Sequence, residues 1–340
     1  MTWFENLTGC VEESPESVRV HLFIDGRRLH SRPNGKSWLC GELETPTLAQ
    51  LRQRVRSIGR DLGPISVREI VANVQHLHRD RANANAVFQV ASQFNLLEMT
   101  SPGVTPECGV GIYEDDFTQG PACAIAAGAG TIYRNYFADA NGRSGQTANN
   151  QIDCLSGIAT LLDNSQQRLW QMVNGYALPS AGGLEEINRK LKIMDEAALD
   201  AVRQALQIGL HWDTQVTLDG ATHTVSQAYC SAMPVAYTRH AQELWAPLAK
   251  LVLEAAYEAT ICTAILNADR NRNDRLFLTL LGGGAFGNNP DWILGAIRRT
   301  LELYSDSRLD VAIVSYGSSN RSVLRLVHEF AQTNRDRTNG

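Results

Sequence analysis

The chain has 340 residues, 44% of them apolar and 20% charged, with a formal net charge of −5. That balance describes an ordinary globular protein of one large domain or two average ones. It excludes general nucleic-acid binding, which needs a basic patch or stripe, because the arginines are scattered and the densest group, residues 267–275, has aspartates among them.

The seven cysteines, at positions 10, 40, 108, 123, 154, 230 and 262, show no C-x-x-C spacing, which argues against a zinc site or a disulfide framework. Reduced thiols in a cytoplasmic protein, or in a host cytosol for a secreted effector, are the expectation. The N-terminus has no basic flank before a long apolar run, so no secretory signal is expected. No stretch approaches 18 consecutive apolar residues, so neither is a membrane span.

In chain order, residues 17–26 alternate loosely as a strand and residues 36–43 read as a second. A Thr-Pro start and helical apolar spacing follow over residues 45–59. Together these suggest a β-rich N-terminal extension with a helix, residues 1–64, ahead of a core at 65–340. Residues 86–94 read as a buried strand, 95–120 as a long loop, and 121–137 as a helix opened by Pro121. Gly128 and Gly130 would each cost an exposed helix about 1 kcal/mol, so the sheet or a glycine loop should pack closely against them. The middle, roughly residues 150–240, reads as an insertion. It holds helices near 152–162, 183–192 and 195–208, and strands at 169–176, 209–218 and 228–238. A long helix at 243–267 precedes the clearest part: strand 276–281, a glycine loop, helix 290–303, strand 310–317 and helix 321–333. Near-continuous apolar strands in this alternating order indicate buried parallel pairing.

The glycine loop, Gly-Gly-Gly-Ala-Phe-Gly-Asn-Asn-Pro at 282–290, asks for a ligand that approaches bare backbone. Gly282, Gly284 and Gly287 satisfy G-x-G-x-x-G. However, too little chain follows for two βαβαβ halves, and no acidic residue ends the next strand. Arg321 could serve a 2′-phosphate, which keeps an NADP oxidoreductase open as an alternative. A Walker A loop is excluded, since no Gly-Lys-Ser/Thr is present. Backbone N–H groups around the glycines, with the positive end of helix 290–303, suit a diphosphate. Asn289 is a natural N-cap and Pro290 a natural first helical residue.

A strand entering Gly-Gly-Gly-Ala-Phe-Gly-Asn, a helix from Asn289-Pro290 and a strand about 25 residues later resemble the C-terminal part of macrodomains. The poly(ADP-ribose) glycohydrolase-like branch is the nearest match. The resemblance implies an α/β fold with a macrodomain-like mixed sheet flanked by helices, here enlarged by the N-terminal β-rich extension and the middle insertion. It implies an ADP-ribose site. Gly282, Gly283, Gly284, Ala285, Phe286, Gly287 and Asn288 would form the diphosphate loop. Asn95 or Gln93 would lie near the distal ribose, Thr118 and Gly120 at the facing helix start, and Tyr316 against the nucleotide. The Gly-Gly-Gly…Gln-Glu-Glu signature of the glycohydrolases is missing, which argues against cleavage of poly(ADP-ribose) itself.

In its place stands Tyr-Glu-Asp-Asp-Phe-Thr-Gln-Gly-Pro at 113–121. Closely spaced carboxylates repel, so one can hold a proton while another activates water. Asp115 and Asp116, helped by Glu107 or Glu114, are therefore the candidate catalytic acids; they could equally cap the following helix or hold a guanidinium. A second resemblance, to effector-type macrodomains that remove ADP-ribose from an arginine of ubiquitin, rests on this acidic loop. The expected function is thus an ADP-ribosyl-protein hydrolase acting on arginine-linked ADP-ribose, with a non-catalytic ADP-ribose reader as the alternative. Its partners would be ADP-ribose or an ADP-ribosylated protein such as ubiquitin, with no nucleic acid or membrane. No cofactor or metal is expected, since His76 and His78 are spaced i, i+2 and do not share a helix face.

Overall fold

The computed structural model describes residues 1–58 and 63–339, with side chains up to Thr333. The end of the 45–59 helical stretch, at Gly59, lies outside the described residues. The chain begins with α1 (Trp3–Thr8), α2 (Pro15–His21) and a small antiparallel sheet of β1 (Leu22–Asp25), β2 (Arg28–Ser31) and β3 (Ser37–Leu39). Next come β4 (Glu42–Glu44), α3 (Leu48–Ser57), β5 (Ser66–Val71), α4 (Val74–Arg79) and β6 (Val87–Ala91). After a long loop the chain forms α5 (Gln119–Ala126), α6 (Gly128–Tyr136), the short pair β7 (Asp139–Ala140) and β8 (Arg143–Ser144), and α7 (Ser156–Leu161). A hairpin of β9 (Trp170–Val173) and β10 (Tyr176–Pro179) leads to α8 (Ala181–Lys192), α9 (Glu196–Gln204), β11 (Gly209–Gln215) and β12 (Thr224–Cys230). The chain closes with α10 (Gln242–Asn271), β13 (Arg275–Leu278), α11 (Pro290–Leu303), β14 (Asp310–Ser315) and α12 (Arg321–Asn339).

The fold is mixed α/β, as expected. Seven strands form one sheet in the order β4-β11-β12-β6-β13-β14-β5. The run from β12 to β5 is parallel, while β11 is antiparallel to both its neighbours. Side chains alternate between two helical layers, as strand geometry requires. On β6, Phe88 stacks on His78 of α4, whereas Gln89 hydrogen-bonds Thr260 of α10. Helices α4, α5 and α6 therefore lie on one face, and α10 and α11 on the other. Helix α10 is long and apolar enough to cross a membrane by length and composition alone, yet 83% of its apolar window is buried inside this fold. It is the central core helix.

Several sequence expectations change. Residues 17–26 are half helix, because Ser14 accepts the Ser17 N–H and Pro15 opens α2. The edge strand β5 has no counterpart in the sequence reading. Residues 169–176 are a hairpin turning at Asn174 and Gly175, both at positive φ, the pair a tight hairpin favours. The strand placed at 228–238 is β12, which ends at Cys230. The helix expected over 121–137 breaks at Ala127 (φ −114°, ψ 54°), where Thr217 Oγ1 accepts the Gly128 N–H. Close packing at the two helical glycines is real: Gly130 meets the sheet, as expected, whereas Gly128 meets the N-terminal helix instead. A Cβ at Gly128 would sit 2.7 Å from Trp3 of α1, and one at Gly130 would sit 2.6 Å from Thr214 of β11.

Candidate functional site

Strand β13 pairs with β6 only at Leu276–Val87 and Phe277–Phe88; beyond those residues the two strands part. The loop leaving β6 runs to α5 on one face, and the loop leaving β13 runs to α11 on the other. Such a divergence opens a crevice at the carboxyl ends of the strands. Gln119 fills the gap at its base, where its Oε1 accepts the Ala91 N–H and its Nε2 donates to Gln89 O. Gly120 lets α5 start directly on the strand end, since a Cβ there would meet Ala91 O at 2.0 Å.

The crevice has two connected parts. One, of about 240 Å³, is lined by Gln93, Glu98, Asp116, Thr118, Gly120, Tyr176, Tyr237, Gly282, Gly284, Ala285 and Phe286, among others. The other, of about 600 Å³, is lined by Gly283, Gly284, Pro290, Ile293, Leu294, Tyr316 and the polar turn Ser318–Asn320. They meet across Thr279, Leu280 and Gly284, so the glycine loop is the saddle between them.

The glycine loop is braced from behind. Asn288 is buried, donating from its backbone to Gly282 O and from Nδ2 to Met233 O. Gly282 (φ +72°) and Gly287 (φ +68°) take left-handed backbone, and a Cβ on them would strike Ala232 or Ala236. Gly284 has open space where a Cβ would be. Among the described residues, the N–H groups of Gly284, Ala285 and Phe286 have no acceptor. Across the cleft, the first-turn N–H groups of Gln119 and Gly120 lack intrahelical partners by position. Two sets of free backbone donors thus face the same space, the arrangement that suits an anion. Asn289 caps α11 by accepting the Asp291 N–H, with Pro290 first in the helix.

Phe286 packs with Tyr176 and Tyr237, ring centroids 5.4 and 5.5 Å away, forming an aromatic wall. Asp116 lines the same compartment and turns the chain into α5 by accepting the Thr118 N–H at 2.9 Å. Glu98 lies in the wall, fully buried, with Arg134 Nη2 3.5 Å from its Oε2. Neither of its carboxyl oxygens finds a well-formed hydrogen bond among the described residues. Arg134 directs its donors elsewhere, to Leu96 O and Thr131 Oγ1, and stacks over Tyr229. Burial therefore pushes the Glu98 carboxyl up to about 8, against the pull of Arg134.

The other sequence candidates divide between the cleft wall and the supports of its loops. Asn95 is wholly buried in the loop turn, its Oδ1 accepting the Leu97 N–H and its Nδ2 donating to Gln151. Gln93 lines the cleft, with its amide also tying Met99 to the loop. Glu107 accepts the Ala148 N–H and Glu114 the Trp3 N–H, each as a strut of the loop. Asp115 is exposed and outside the cleft lining. Gly287 and Asn288 support the loop from beneath. Sequence reasoning missed Glu98, Tyr176 and Tyr237. The two tyrosines come from the middle segment, whose approach to the glycine loop no local pattern announces.

No protein-family profile matches the sequence, and no curated protein matches it. Among solved structures, the chain is similar to poly(ADP-ribose) glycohydrolase from Deinococcus radiodurans in complex with ADP-ribose. Identity there is 12%, covering 86% of this chain and 94% of that one, with a TM-score of 0.46. The poly(ADP-ribose) glycohydrolase from Thermomonospora curvata bound to the inhibitor ADP-HPD is 12% identical, covering 94% and 95%, with a TM-score of 0.43.

Proposed function

We propose that the protein binds ADP-ribose across this crevice and hydrolyses its bond to a modified protein, with arginine as the linked residue and ubiquitin one candidate carrier. One observation carries the reading: the glycine loop, the start of α5, Asp116 and an aromatic wall share a single continuous cleft. The diphosphate fits the saddle, between the free N–H groups of Gly284 to Phe286 and those of Gln119 and Gly120. The wider compartment, with Tyr316, Ile293, Leu294 and the serine-rich turn, suits a nucleoside. The smaller one would then take the distal ribose and its leaving group.

In that pose a water oxygen attacks the anomeric carbon as the bond to the guanidinium nitrogen breaks. One water proton stays on the new anomeric hydroxyl; the other is taken up by the carboxylate and passed to the departing neutral guanidine, which leaves as guanidinium. Asp116 would orient the water and accept that proton, a role worth about 10²–10⁴-fold in rate for general bases. The aromatic wall and Asp116 together suit a planar cation, through ring faces and a carboxylate.

Calorimetric titration with ADP-ribose, and with NADP as comparator, tests the binding half. Saturable binding of ADP-ribose and none of NADP is expected, and silence toward ADP-ribose would end the reading. Release of ADP-ribose from an arginine-modified protein tests the chemistry; binding without release would make the protein a reader.

A further inference from the structure

The loop that carries Asp116 is held from outside by the first twelve residues of the chain. Glu12 reaches over it and accepts the Val110 N–H at 2.9 Å and the Gly111 N–H at 2.6 Å, one on each carboxylate oxygen. Tyr136 of α6 donates its hydroxyl to Glu12 Oε1 at 2.7 Å, fixing the carboxylate from the other side. Trp3 adds two bonds: its indole N–H donates to Val110 O at 2.9 Å, and its backbone N–H to Glu114 Oε2 at 2.7 Å. The loop is shaped to receive Glu12. A Cβ on Gly109, at φ +85°, would lie 2.6 Å from its carboxylate, and one on Gly111 would lie 2.8 Å away. Phe4 shares a buried cluster with Val110 and Tyr113, so the same segment also seals the loop from solvent. Asp116 stands only five residues beyond Gly111, and Tyr113 between them accepts the Glu98 N–H at the cleft wall.

We propose that the N-terminal segment is a latch that positions the acidic loop, with Glu12 as its positioning residue. Its effect on turnover rests on the reading of the cleft given above; its effect on the loop does not. A neutral amide at position 12 keeps the volume but presents N–H groups to one of two backbone donors, so that donor loses its acceptor.

Hydrogen exchange of the full chain, comparing wild type with Glu12→Gln, decides the structural half. Peptides spanning residues 106–118 should exchange at least about tenfold faster, while those covering 87–91 and 310–315 keep their wild-type rates. Unchanged exchange at 106–118, or equal acceleration everywhere, would overturn the latch. Trp3→Phe, which removes the indole donor and part of the ring but keeps the backbone bond to Glu114, should show the same local pattern more weakly and serves if Glu12→Gln does not fold. With ADP-ribose-modified substrate, Glu12→Gln should lower kcat about tenfold and leave the ADP-ribose Kd within about threefold, because the glycine loop is untouched. Equal loss in both would overturn the positioning role. A wild-type protein that ignores ADP-ribose would sink the cleft reading alone, since the exchange result stands without ligand.

Discussion

Of Glu107, Glu114, Asp115 and Asp116, Asp116 is the one that lines the cleft, and the bond it accepts from the Thr118 N–H at Oδ1 leaves its other oxygen free of the backbone. Glu107 and Glu114 have structural partners far along the chain, at Ala148 and Trp3. Asp116→Ala should therefore lower turnover about 10²-fold or more while ADP-ribose still binds. Glu107→Gln and Glu114→Gln should instead lower stability by about 1 kcal/mol and turnover much less. A steady-state assay paired with calorimetry separates these outcomes, and full activity in Asp116→Ala would remove it from the chemistry. Glu98 gives a prediction of a different kind. Its folded value of about 8 lies above its ordinary 4.5, so its protonated form belongs to the folded state. That contribution is complete below about pH 4.5 and is lost as pH rises through about 8. Denaturant unfolding at about pH 6 and about pH 9 should show wild type losing on the order of 2–3 kcal/mol more than Glu98→Gln. Parallel losses would mean that Glu98 keeps its charge when buried. The sequence pointed to the acidic loop but could not rank its members, because adjacent loop residues carry no periodicity to say which side chain turns inward. Glu98 was unreadable for the opposite reason: between Leu97 and Met99 it has the setting of a core strand, and its partner Arg134 comes from α6.

The glycine loop was the most legible element, and its reading rests on two different uses of glycine. Gly282 sits at φ +72° with Ala232 Cβ 2.5 Å from where its own Cβ would be, so it serves the fold. Gly284 has empty space there and borders both compartments, so it serves the ligand. Gly282→Ala should lower stability by about 1–3 kcal/mol through backbone strain and overlap. Gly284→Glu should leave the melting temperature near wild type and abolish ADP-ribose binding, because it fills the saddle with negative charge. Thermal denaturation beside titration checks both, and binding that survives Gly284→Glu would move the diphosphate elsewhere. The strand-helix-strand-helix ending was equally clear, since buried parallel strands give long apolar runs and α11 begins with a self-evident cap. The break between α5 and α6 was not, because it depends on Thr217 capturing the Gly128 N–H across 89 residues. Local sequence carries the propensity of that helix but not the side chain that interrupts it.

At the scale of the molecule, the N-terminal residues are built into the core rather than appended to it. Phe4, Val18, Leu22, Leu29, Trp38 and Cys40 form one buried cluster with Leu97, Met99, Val110, Tyr113, Ala129, Ile132 and Tyr136. Strand β4 also completes the sheet beyond β11, covering an edge that would otherwise expose its backbone. Alternation in the first 64 residues suggests a β-rich unit, whereas α1, α2 and α3 give the described part more helix than strand. No local pattern shows what it covers, because the complementary surface lies in the loop and helices of 97–136. Removing residues 1–44 would bare that surface and the β11 edge at once. Burying apolar area contributes roughly 25 cal/mol per Å², so losing a cluster of this many large side chains exceeds the 5–15 kcal/mol margin of a typical domain. The 45–340 fragment should therefore give no cooperative thermal transition by circular dichroism and should bind hydrophobic dye. A sharp transition near the wild-type temperature would make the unit an accessory that the core does not need. The same result would weaken the latch, because a loop able to hold its shape without Trp3 and Glu12 has no need of them. Loss of the transition would instead join site and fold: the residues that present Asp116 would be held in place by the segment that completes that buried cluster.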